Sequence, residues 1–150
     1  MEQKNFFRIK IGHREELATQ NLIKDSSIFG EKIISKNNVE YVEWDPYKSK
    51  LAASIRNGLQ IFPIVKKTNI LYITSKIEST ILHISNIIGE NGRIFLYSYN
   101  NEDLEKITSD RNNIIILNDA DEVQSKKVDV VYMDVNNHNE VEKAINHSKR

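Results

Sequence analysis

The sequence contains no cysteine, only two prolines and only five glycines among its 150 residues. Without cysteine there is no disulfide framework, no thiolate zinc site and no cysteine nucleophile. No stretch approaches the roughly 20 apolar residues of a membrane span, and the N-terminal stretch beginning "MEQKNFFRIK" lacks the apolar core of a signal peptide. These absences predict a cytoplasmic protein.

An excess of charge of one sign is also missing. Lysine plus arginine and aspartate plus glutamate number 21 each, so the formal net charge is zero. Most autonomous nucleic-acid-binding domains carry a clear positive balance. Basic residues do gather around the first predicted helix, and we interpret them as a solvated face: Lys48, Lys50, Arg56, Lys66 and Lys67. We therefore expect contact with RNA to be weak or indirect.

The first part of the chain has the alternating pattern of short β-strands. The segments "FFRIKIG", "SSIFGEKII" and "NVEYVEW" predict strands, and residues 1–44 are assigned to a small N-terminal β subdomain. The segment "DPYKSKLAASIRNGLQ" predicts a helix that Asp45 caps and that Pro46 begins. Leu51, Ile55 and Leu59 are expected to share its apolar side.

The rest of the chain alternates apolar strands with amphipathic helices. Strands are predicted in "ILYIT", "GRIFLYSY", "NIIILND" and "VDVVYMDV", and helices in "ESTILHISNIIG", "NEDLEKIT" and "NEVEKAINHSKR". Continuous apolar strands that alternate with helices are typical of a parallel sheet covered on both faces. Residues 45–150 are therefore assigned to a Rossmann-like α/β domain. In the helix predicted around "ESTILHISNIIG", the buried side is expected to consist of Ile77, Ile81, Ile84 and Ile88.

Glycine is missing where this kind of fold uses it most. A nucleotide-binding loop follows the first strand of such sheets, and its glycines let the backbone approach the ligand without a Cβ in the way. Here the strand continues as "LYITSKIEST", and no glycine lies between Gly58 and Gly89. The sequence therefore predicts that no ordinary cofactor loop forms.

The segment "YVEWDPYKSKLAASI" resembles the "YREWNPYRSKLAAAI" segment of archaeal fibrillarins. The segments "LATQNLIKDSSIFGEKII", "ILYITSKIEST", "ILNDA" and "VVYMDV" are similar to further motifs of that family, so the resemblance covers most of the chain from Gly12 to Arg150. Fibrillarins are S-adenosylmethionine-dependent methyltransferases of RNA 2′-hydroxyls in box C/D ribonucleoproteins, where a Nop-domain scaffold protein holds them. The resemblance implies a truncated methyltransferase fold preceded by the β subdomain.

The resemblance also shows departures at the cofactor site. Thr74 and Glu78 occupy the positions of the family's two loop glycines. Ser98 occupies the position of the acidic residue that binds the cofactor ribose in the family. A serine supplies no bidentate anionic acceptor. Asp119 matches the aspartate that contacts the adenine. We therefore expect no bound cofactor. We also expect Lys76 and Glu78 to fill part of the cleft that holds the cofactor in the family.

Two catalytic positions of the family are retained. Lys50 matches the first catalytic lysine and Asp134 the catalytic aspartate, whereas the second lysine and the histidine would lie on strands later than Arg150. We interpret Lys50 and Asp134 as relics that form a structural salt bridge, so this chain is predicted not to be an enzyme.

Other polar and aromatic residues have simpler interpretations. Asp119 and Asp121 suit a solvated turn rather than a metal pair, because a third ligand is missing. Trp44 and Tyr47 are expected to pin the helix start to the sheet. No metal site is predicted, because the four histidines have no ligand spacing: His13, His83, His138 and His147.

The strand "VDVVYMDV" is expected to leave an open sheet edge, because Val130, Val131 and Met133 provide neither charge nor proline to protect it. We predict a protein interface there. The leading hypothesis is a fibrillarin-like pseudo-enzyme that pairs with a Nop-domain scaffold protein or a paralogue of one. The alternatives are an active RNA 2′-O-methyltransferase completed by a partner chain, and a homodimer joined through this fourth strand.

Overall fold

The computed structural model describes residues 6–119, 122 and 127–136. The chain begins with an antiparallel sheet in the order β1-β2-β4-β3. Its strands are β1 (Phe6–Ile11), β2 (Arg14–Gln20), β3 (Ile33–Lys36) and β4 (Val39–Glu43). The alternation did not predict β2, and only the end of "SSIFGEKII" forms a strand. Asn37 and Asn38 both have positive φ in the turn before β4, as a tight hairpin turn requires.

The first helix is shorter than predicted. Helix α1 (Lys50–Arg56) is capped by Ser49, whose hydroxyl accepts a hydrogen bond from Ala52 N at 3.2 Å. The expectation that Asp45 caps the helix and Pro46 begins it was therefore wrong, because both residues lie in a turn before the helix. Leu59 lies beyond the helix and is 41% exposed, so it does not belong to the apolar side.

The second sheet is parallel throughout, in the order β7-β6-β5-β8. Along the chain its elements are β5 (Asn69–Thr74), α2 (Ser79–Ile88), β6 (Arg93–Ser98), α3 (Leu104–Asp110), β7 (Ile114–Ile116) and β8 (Val130–Asp134). This arrangement confirms the predicted α/β fold class. The last predicted helix lies outside the described residues.

The main core lies between α2 and the sheet. The four isoleucines predicted to be buried at the start and along α2 are at most 4% exposed, and every residue of α2 is buried. Gly89 ends the helix with φ +72° and ψ −171°, a backbone conformation that is essentially restricted to glycine but is not the left-handed helical one. Gly92 has a different role, because a Cβ there would lie 2.7 Å from Thr68 O. A smaller apolar cluster on the opposite face of the sheet contains Leu71, Ile73, Phe95 and Leu117.

Buried polar side chains join the two sheets around Arg111. The guanidinium is 1% exposed and donates to Asn86 Oδ1 at 2.6 Å, Ser85 Oγ at 3.0 Å and Asn21 Oδ1 at 3.2 Å. Asn21 belongs to the segment after β2, whereas the other two acceptors lie on α2. Arg111 therefore connects the N-terminal sheet to the α/β sheet through one buried group.

A second buried contact involves His83 on α2. Its Nδ1 lies 2.7 Å from the hydroxyl of Thr19 on β2, and that hydroxyl also accepts from Asn86 Nδ2 at 3.0 Å. Burial, followed by the positive charge of Arg111, lowers the pKa of His83 from 6.5 to about 3. The imidazole is therefore neutral at physiological pH and structural in this fold. Within the described part of the chain, no helix has the length and apolar character needed to cross a membrane.

Candidate functional site

Three elements meet at the carboxyl edge of the parallel sheet. Strand β5 ends at Thr74, β8 ends at Asp134, and these two residues are register partners. Lys50, the first residue of α1, places its Nζ 2.8 Å from Asp134 Oδ1. The structure therefore brings together two residues that are 84 positions apart in the sequence. Ligands of open α/β sheets commonly bind at this edge.

The Lys50–Asp134 pair differs in exposure between its two partners. The side chain of Lys50 is 70% exposed and that of Asp134 is 8% exposed. The hydrogen bond to Asp134 and its negative charge raise the pKa of Lys50. Because solvent screens the lysine, the pair contributes little to stability. Its geometry fits the salt bridge expected from the sequence.

Buried side chains position the start of α1. Ser49 Oγ accepts from Trp44 Nε1 at 3.0 Å and lies 2.8 Å from Thr80 Oγ1 on α2. Trp44 is fully buried and its ring stacks on His83, with centroids 4.9 Å apart. The predicted pinning role of Trp44 is confirmed. Sequence reasoning missed Ser49, although a serine directly before an apolar helical run is a recognised start signal.

Tyr47 does not share this pinning role. Its side chain is 90% exposed, so the prediction that it packs against the sheet was wrong. The reason is local, because Asp45 Oδ1 accepts a hydrogen bond from Tyr47 N at 2.8 Å and Asp45 O accepts one from Lys48 N at 3.1 Å. This turn points the tyrosine ring away from the core.

The loop between β5 and α2 closes without glycine. None of the residues from 74 to 78 has positive φ, so this backbone needs no glycine. Thr74 Oγ1 donates to Lys76 O at 2.7 Å, and Ser75 N donates to Asp134 O at 2.9 Å. The loop is thus braced against its own strand and against β8.

Glu78 directs its carboxyl toward the Lys50–Asp134 pair. Burial, followed by the hydrogen bond to Asp134 and its charge, raises the pKa of Glu78, whereas Lys76 and Lys50 act in the opposite direction. The carboxyl groups of Glu78 and Asp134 therefore share this corner with two lysines, Lys50 and Lys76. Like-charged carboxyls at short range favour holding a proton between them.

These groups border a small pocket. Its volume is about 210 Å³, and its lining residues are Lys50, Thr74, Ser75, Lys76, Glu78, Asp134 and Asn136. Pockets that hold small organic ligands usually measure about 300–1,000 Å³ and have an apolar lining. This pocket is smaller, and carboxylate and ammonium groups border it. The absence of a bound cofactor that the sequence led us to expect stays a prediction.

The other two cofactor positions are not part of this pocket lining, although Ser98 is the register partner of Thr74 on the neighbouring strand. Ser98 ends β6 and donates to Asn100 O at 2.6 Å, so its hydroxyl bonds within its own turn. Asp119 is exposed in the turn after β7, where its backbone N donates to Glu122 Oε1 at 3.2 Å. Both residues lie at the carboxyl edge but on the opposite side of β5 from β8.

The remaining sequence-predicted polar residues form no metal site within the described residues. There, no three His, Cys, Asp or Glu side chains are grouped to hold a metal ion. His13 is exposed, and His83 is buried against Thr19. Asp121, His138 and His147 lie outside the described residues.

The predicted interface strand is partly exposed. Among the described residues, β8 pairs with β5 alone. Val131 is 37% exposed and Met133 is 42% exposed, whereas Val130 packs partly against the core. The apolar side chains expected at this edge are therefore present, and their use as an interface stays a prediction.

The two sheets and the strand-end site define a Rossmann-like α/β protein with an antiparallel N-terminal sheet. The protein-family model described as Fibrillarin matches residues 1–149. The chain therefore belongs to the fibrillarin family.

Curated relatives and solved structures agree with this assignment. The chain is 43% identical over 132 residues to the fibrillarin-like rRNA/tRNA 2′-O-methyltransferase of Pyrobaculum calidifontis, covering 81% of this chain and 56% of that protein. Among solved structures, Methanococcus jannaschii fibrillarin has a TM-score of 0.85 and 32% identity, covering 99% of this chain and 69% of that one. Aeropyrum pernix fibrillarin, solved with natively bound S-adenosyl-L-methionine, has a TM-score of 0.81 and 31% identity, covering 89% of this chain and 62% of that one.

A third similar structure is a fibrillarin/Nop5p complex, with a TM-score of 0.78 and 28% identity, covering 99% of this chain and 70% of that one. The curated relatives are longer than this chain, which spans a little over half of their length.

Proposed function

We propose that this chain is a non-catalytic member of the fibrillarin family that acts as a protein-interaction subunit. Its partner in this proposal is a Nop-domain scaffold protein or a paralogue of one, in an RNA–protein assembly. The observation that carries the proposal is the Glu78 carboxyl at the Lys50–Asp134 pair.

Glu78 opposes cofactor binding by both volume and charge. The resemblance matches this position to a glycine, which leaves room for the methionine part of the cofactor. A glutamate instead fills that space and adds a second negative charge beside Asp134. A cofactor carboxylate entering the pocket would meet the carboxyl groups of Glu78 and Asp134, although Lys50 and Lys76 also line the pocket.

The partner class is supported by the likeness to the fibrillarin/Nop5p complex, which covers 99% of this chain. The exposed edge residues Val131 and Met133 offer apolar surface for protein contact. A protein can keep such a contact after a ligand site has been lost, because the interface and the cofactor pocket use different residues.

Calorimetric titration with S-adenosylmethionine and S-adenosylhomocysteine tests the proposal. We expect no binding heat for the unaltered chain, and we expect measurable heat for the double variant Thr74→Gly with Glu78→Gly, because it removes both side chains from the loop. Glu102→Gly is the matched control, since Glu102 is exposed and outside the pocket lining. Stoichiometric binding by the unaltered chain would disprove the proposal.

The partner is tested by co-expression with a Nop5-type scaffold. We expect co-purification in equal amounts, and we expect the charge-introducing variant Met133→Glu to weaken it. Leu59→Glu, at an equally exposed apolar residue, is the control. Failure to co-purify would contradict the partner assignment while leaving the cofactor result intact. A dimeric mass for the chain alone would favour self-association through β8.

An active RNA 2′-O-methyltransferase completed by a partner chain is the second candidate. The observation that favours it is the Lys50–Asp134 contact at 2.8 Å, which keeps two catalytic positions of the family together. Methyl transfer by the assembled complex that disappears in Asp134→Asn would support this candidate.

A further inference from the structure

The N-terminal sheet carries apolar side chains on both of its faces. On one face, Phe6 and Leu17 pack against the main core. On the other face, the rings of Phe7 and Tyr41 meet edge to face with their centroids 5.5 Å apart, across the strand β2 that lies between their own strands. Neither ring belongs to an apolar core cluster, and Phe7 is 37% exposed. This second face is therefore apolar and is open to solvent at Phe7.

A groove between β1 and the β3–β4 hairpin opens on this second face, and we call it the hairpin groove. Its volume is about 420 Å³, within the range of about 300–1,000 Å³ that is usual for ligand sites. The apolar part of its lining consists of Phe7, Ile9, Val39 and Tyr41. The polar part consists of Arg8, Lys36 and Asn37. The hairpin groove thus combines aromatic and aliphatic surface with groups that donate hydrogen bonds.

Both ionised groups in the lining of the hairpin groove are cations. Lys36 and Asn37 are exposed, and neither side chain makes a hydrogen bond or ion pair within the part of the chain that the structure describes. Arg8 contacts Glu15 at 3.9 Å, but both side chains are exposed and solvent screens the pair. The hairpin's own carboxylate at Glu40 is engaged, because its Oε1 accepts two hydrogen bonds at 2.6 and 2.8 Å. An anionic group that enters the groove would therefore meet free donors.

Strand β1 offers its backbone to the same groove. Among the described residues, β1 pairs with β2 alone, so it lies at an edge of its sheet. The three consecutive residues 7–9 of β1 all line the groove, although successive side chains of a strand point to opposite faces. The groove therefore reaches the edge of β1 as well as one face of the sheet. Peptides bind at such edges by adding a strand whose alternate side chains enter neighbouring pockets.

We propose that the hairpin groove binds an acidic segment of a partner protein. The segment extends along β1, and one of its apolar side chains lies against Phe7 and Tyr41. Its carboxylates contact Lys36 and Arg8, which supply the complementary charge. This goes beyond the proposed function, because the groove belongs to the N-terminal sheet, whereas the proposed scaffold contact uses β8 of the parallel sheet.

The arrangement of the two rings favours a peptide over single-stranded RNA. A nucleic-acid base stacks on an open aromatic face. Phe7 and Tyr41 instead pack edge to face at an interplanar angle of 74°, and Tyr41 is half-buried. The pair therefore forms an apolar corner, which suits an aliphatic side chain better than a flat base.

Fluorescence anisotropy tests the proposal with a labelled synthetic peptide of about ten residues, in which aspartate and glutamate alternate with leucine and valine. We expect binding that weakens as salt is added, because the ion pairs are exposed. Lys36→Gln should weaken binding by about 2- to 5-fold, as loss of one exposed ion pair does. Lys36→Glu should weaken it further through like-charge repulsion. Lys106→Gln is the matched control, since Lys106 is 64% exposed on α3 and lies outside the groove lining.

Backbone amide chemical shifts of the unaltered chain locate the bound peptide without any substitution. We expect the peptide to shift the amide signals of residues 7–9 and 36–41, which include the groove lining, and to leave those of β8 unchanged. A second peptide of the same length and charge, with glycine in place of leucine and valine, should bind more weakly. It lacks the apolar side chain that contacts the two rings.

Four results would overturn the proposal. The first is no anisotropy change at up to about 1 mM protein, the weak end of measurable affinity. The second is equal affinity of the unaltered chain and Lys36→Glu for the acidic peptide. The third is equal affinity for the two peptides, which would reduce the effect to general charge attraction. The fourth is a shift of the groove amides by single-stranded RNA but not by the peptide. None of these results depends on whether the chain binds S-adenosylmethionine or a Nop-domain scaffold.

Discussion

Two polar clusters of this molecule use similar side chains in opposite surroundings. The inter-sheet cluster consists of Thr19, His83, Asn86 and Arg111, and the strand-end cluster consists of Lys50, Glu78 and Asp134. Arg111 is 1% exposed, whereas the side chain of Lys50 is 70% exposed. The inter-sheet cluster joins the two sheets, while the strand-end cluster borders an open pocket.

Burial decides what each cluster can do. A buried hydrogen-bonded group is costly to disturb, because its partners are left unpaired away from water. An exposed ion pair is screened by solvent and contributes little. The inter-sheet cluster is therefore a structural connection, whereas in the strand-end cluster Asp134 is buried and only Lys50 and Glu78 can change with small effects on stability.

The largest expected effect is at Arg111. Arg111→Ala should lower the free energy of unfolding by about 3–5 kcal/mol, because it removes the buried hydrogen bonds to Asn21, Ser85 and Asn86 and leaves a cavity in place of a buried side chain. Urea unfolding followed by circular dichroism measures it. Arg56→Ala, at an exposed position, should change stability by less than about 0.5 kcal/mol. Equal effects of the two variants would show that the inter-sheet cluster is not a structural connection.

The next effect is on the pH dependence of stability. The pKa of His83 is lowered to about 3 in the folded chain and is 6.5 in the unfolded chain, so only the unfolded chain binds this proton between these pH values. Stability should therefore fall as the pH drops below 6.5, by up to about 1.4 kcal/mol per pH unit.

Urea unfolding between pH 4 and pH 7 tests this slope. His83→Phe keeps a flat ring against Trp44 and should show a shallower pH dependence than the unaltered chain. His13→Phe is the control, since His13 is exposed. A slope unchanged by His83→Phe would mean that other groups account for the acid sensitivity.

A smaller effect is expected where the two clusters meet, at the start of α1. Ser49→Ala removes the helix cap and leaves Trp44 Nε1 without its acceptor, so it should cost about 1–2 kcal/mol. Ser54→Ala is the matched control on the same helix, since its hydroxyl is exposed and bonds Lys50 O. Thermal unfolding of the two variants compares them, and a similar loss in both would contradict the capping role.

The smallest expected change in the free energy of unfolding is at Glu78. Substitution there should stabilise the chain, whereas the preceding variants destabilise it. Because the folded state raises the pKa of Glu78, the charged carboxyl opposes folding once the pH exceeds its unfolded value of 4.5. Glu78→Gln should therefore stabilise the chain at pH 7 by less than about 1 kcal/mol, and this gain should disappear near pH 4. Chemical unfolding at the two pH values measures it. Destabilisation at pH 7 would mean that Glu78 is a needed member of the salt bridge.

Much of the fold was predictable because its signals are local. Apolar runs predicted β5, β6, β7 and β8, and helical spacing predicted α2 and its buried isoleucines. Strand β2 was missed, because "REELATQ" has few apolar residues and its pairing with β1 and β4 depends on distant residues. The start of α1 was misplaced, because Asp45 and Ser49 are both good caps and only packing against Trp44 and Thr80 selects the serine.

Part of the candidate site was also predictable from the sequence, and part of it was not. Lys50, Thr74, Glu78 and Asp134 were identified from motif positions, and the structure brings all four to one pocket. Ser98 and Asp119 were identified by the same reasoning but lie outside that pocket lining. The exposure of Tyr47 was predicted wrongly, because an aromatic residue beside a buried tryptophan carries no sequence signal of the direction in which its turn points.

The sequence by itself determined the alternation of strands and helices, the family motifs and the absence of glycine after β5. Each of these features is read from residues that are close together in the chain. Tertiary structure alone decided which polar groups are buried together. Thr19 and His83 are 64 positions apart, and Lys50 and Asp134 are 84 positions apart. No local pattern connects such pairs, because their distance and their exposure to water arise only when the two sheets and α2 pack against one another.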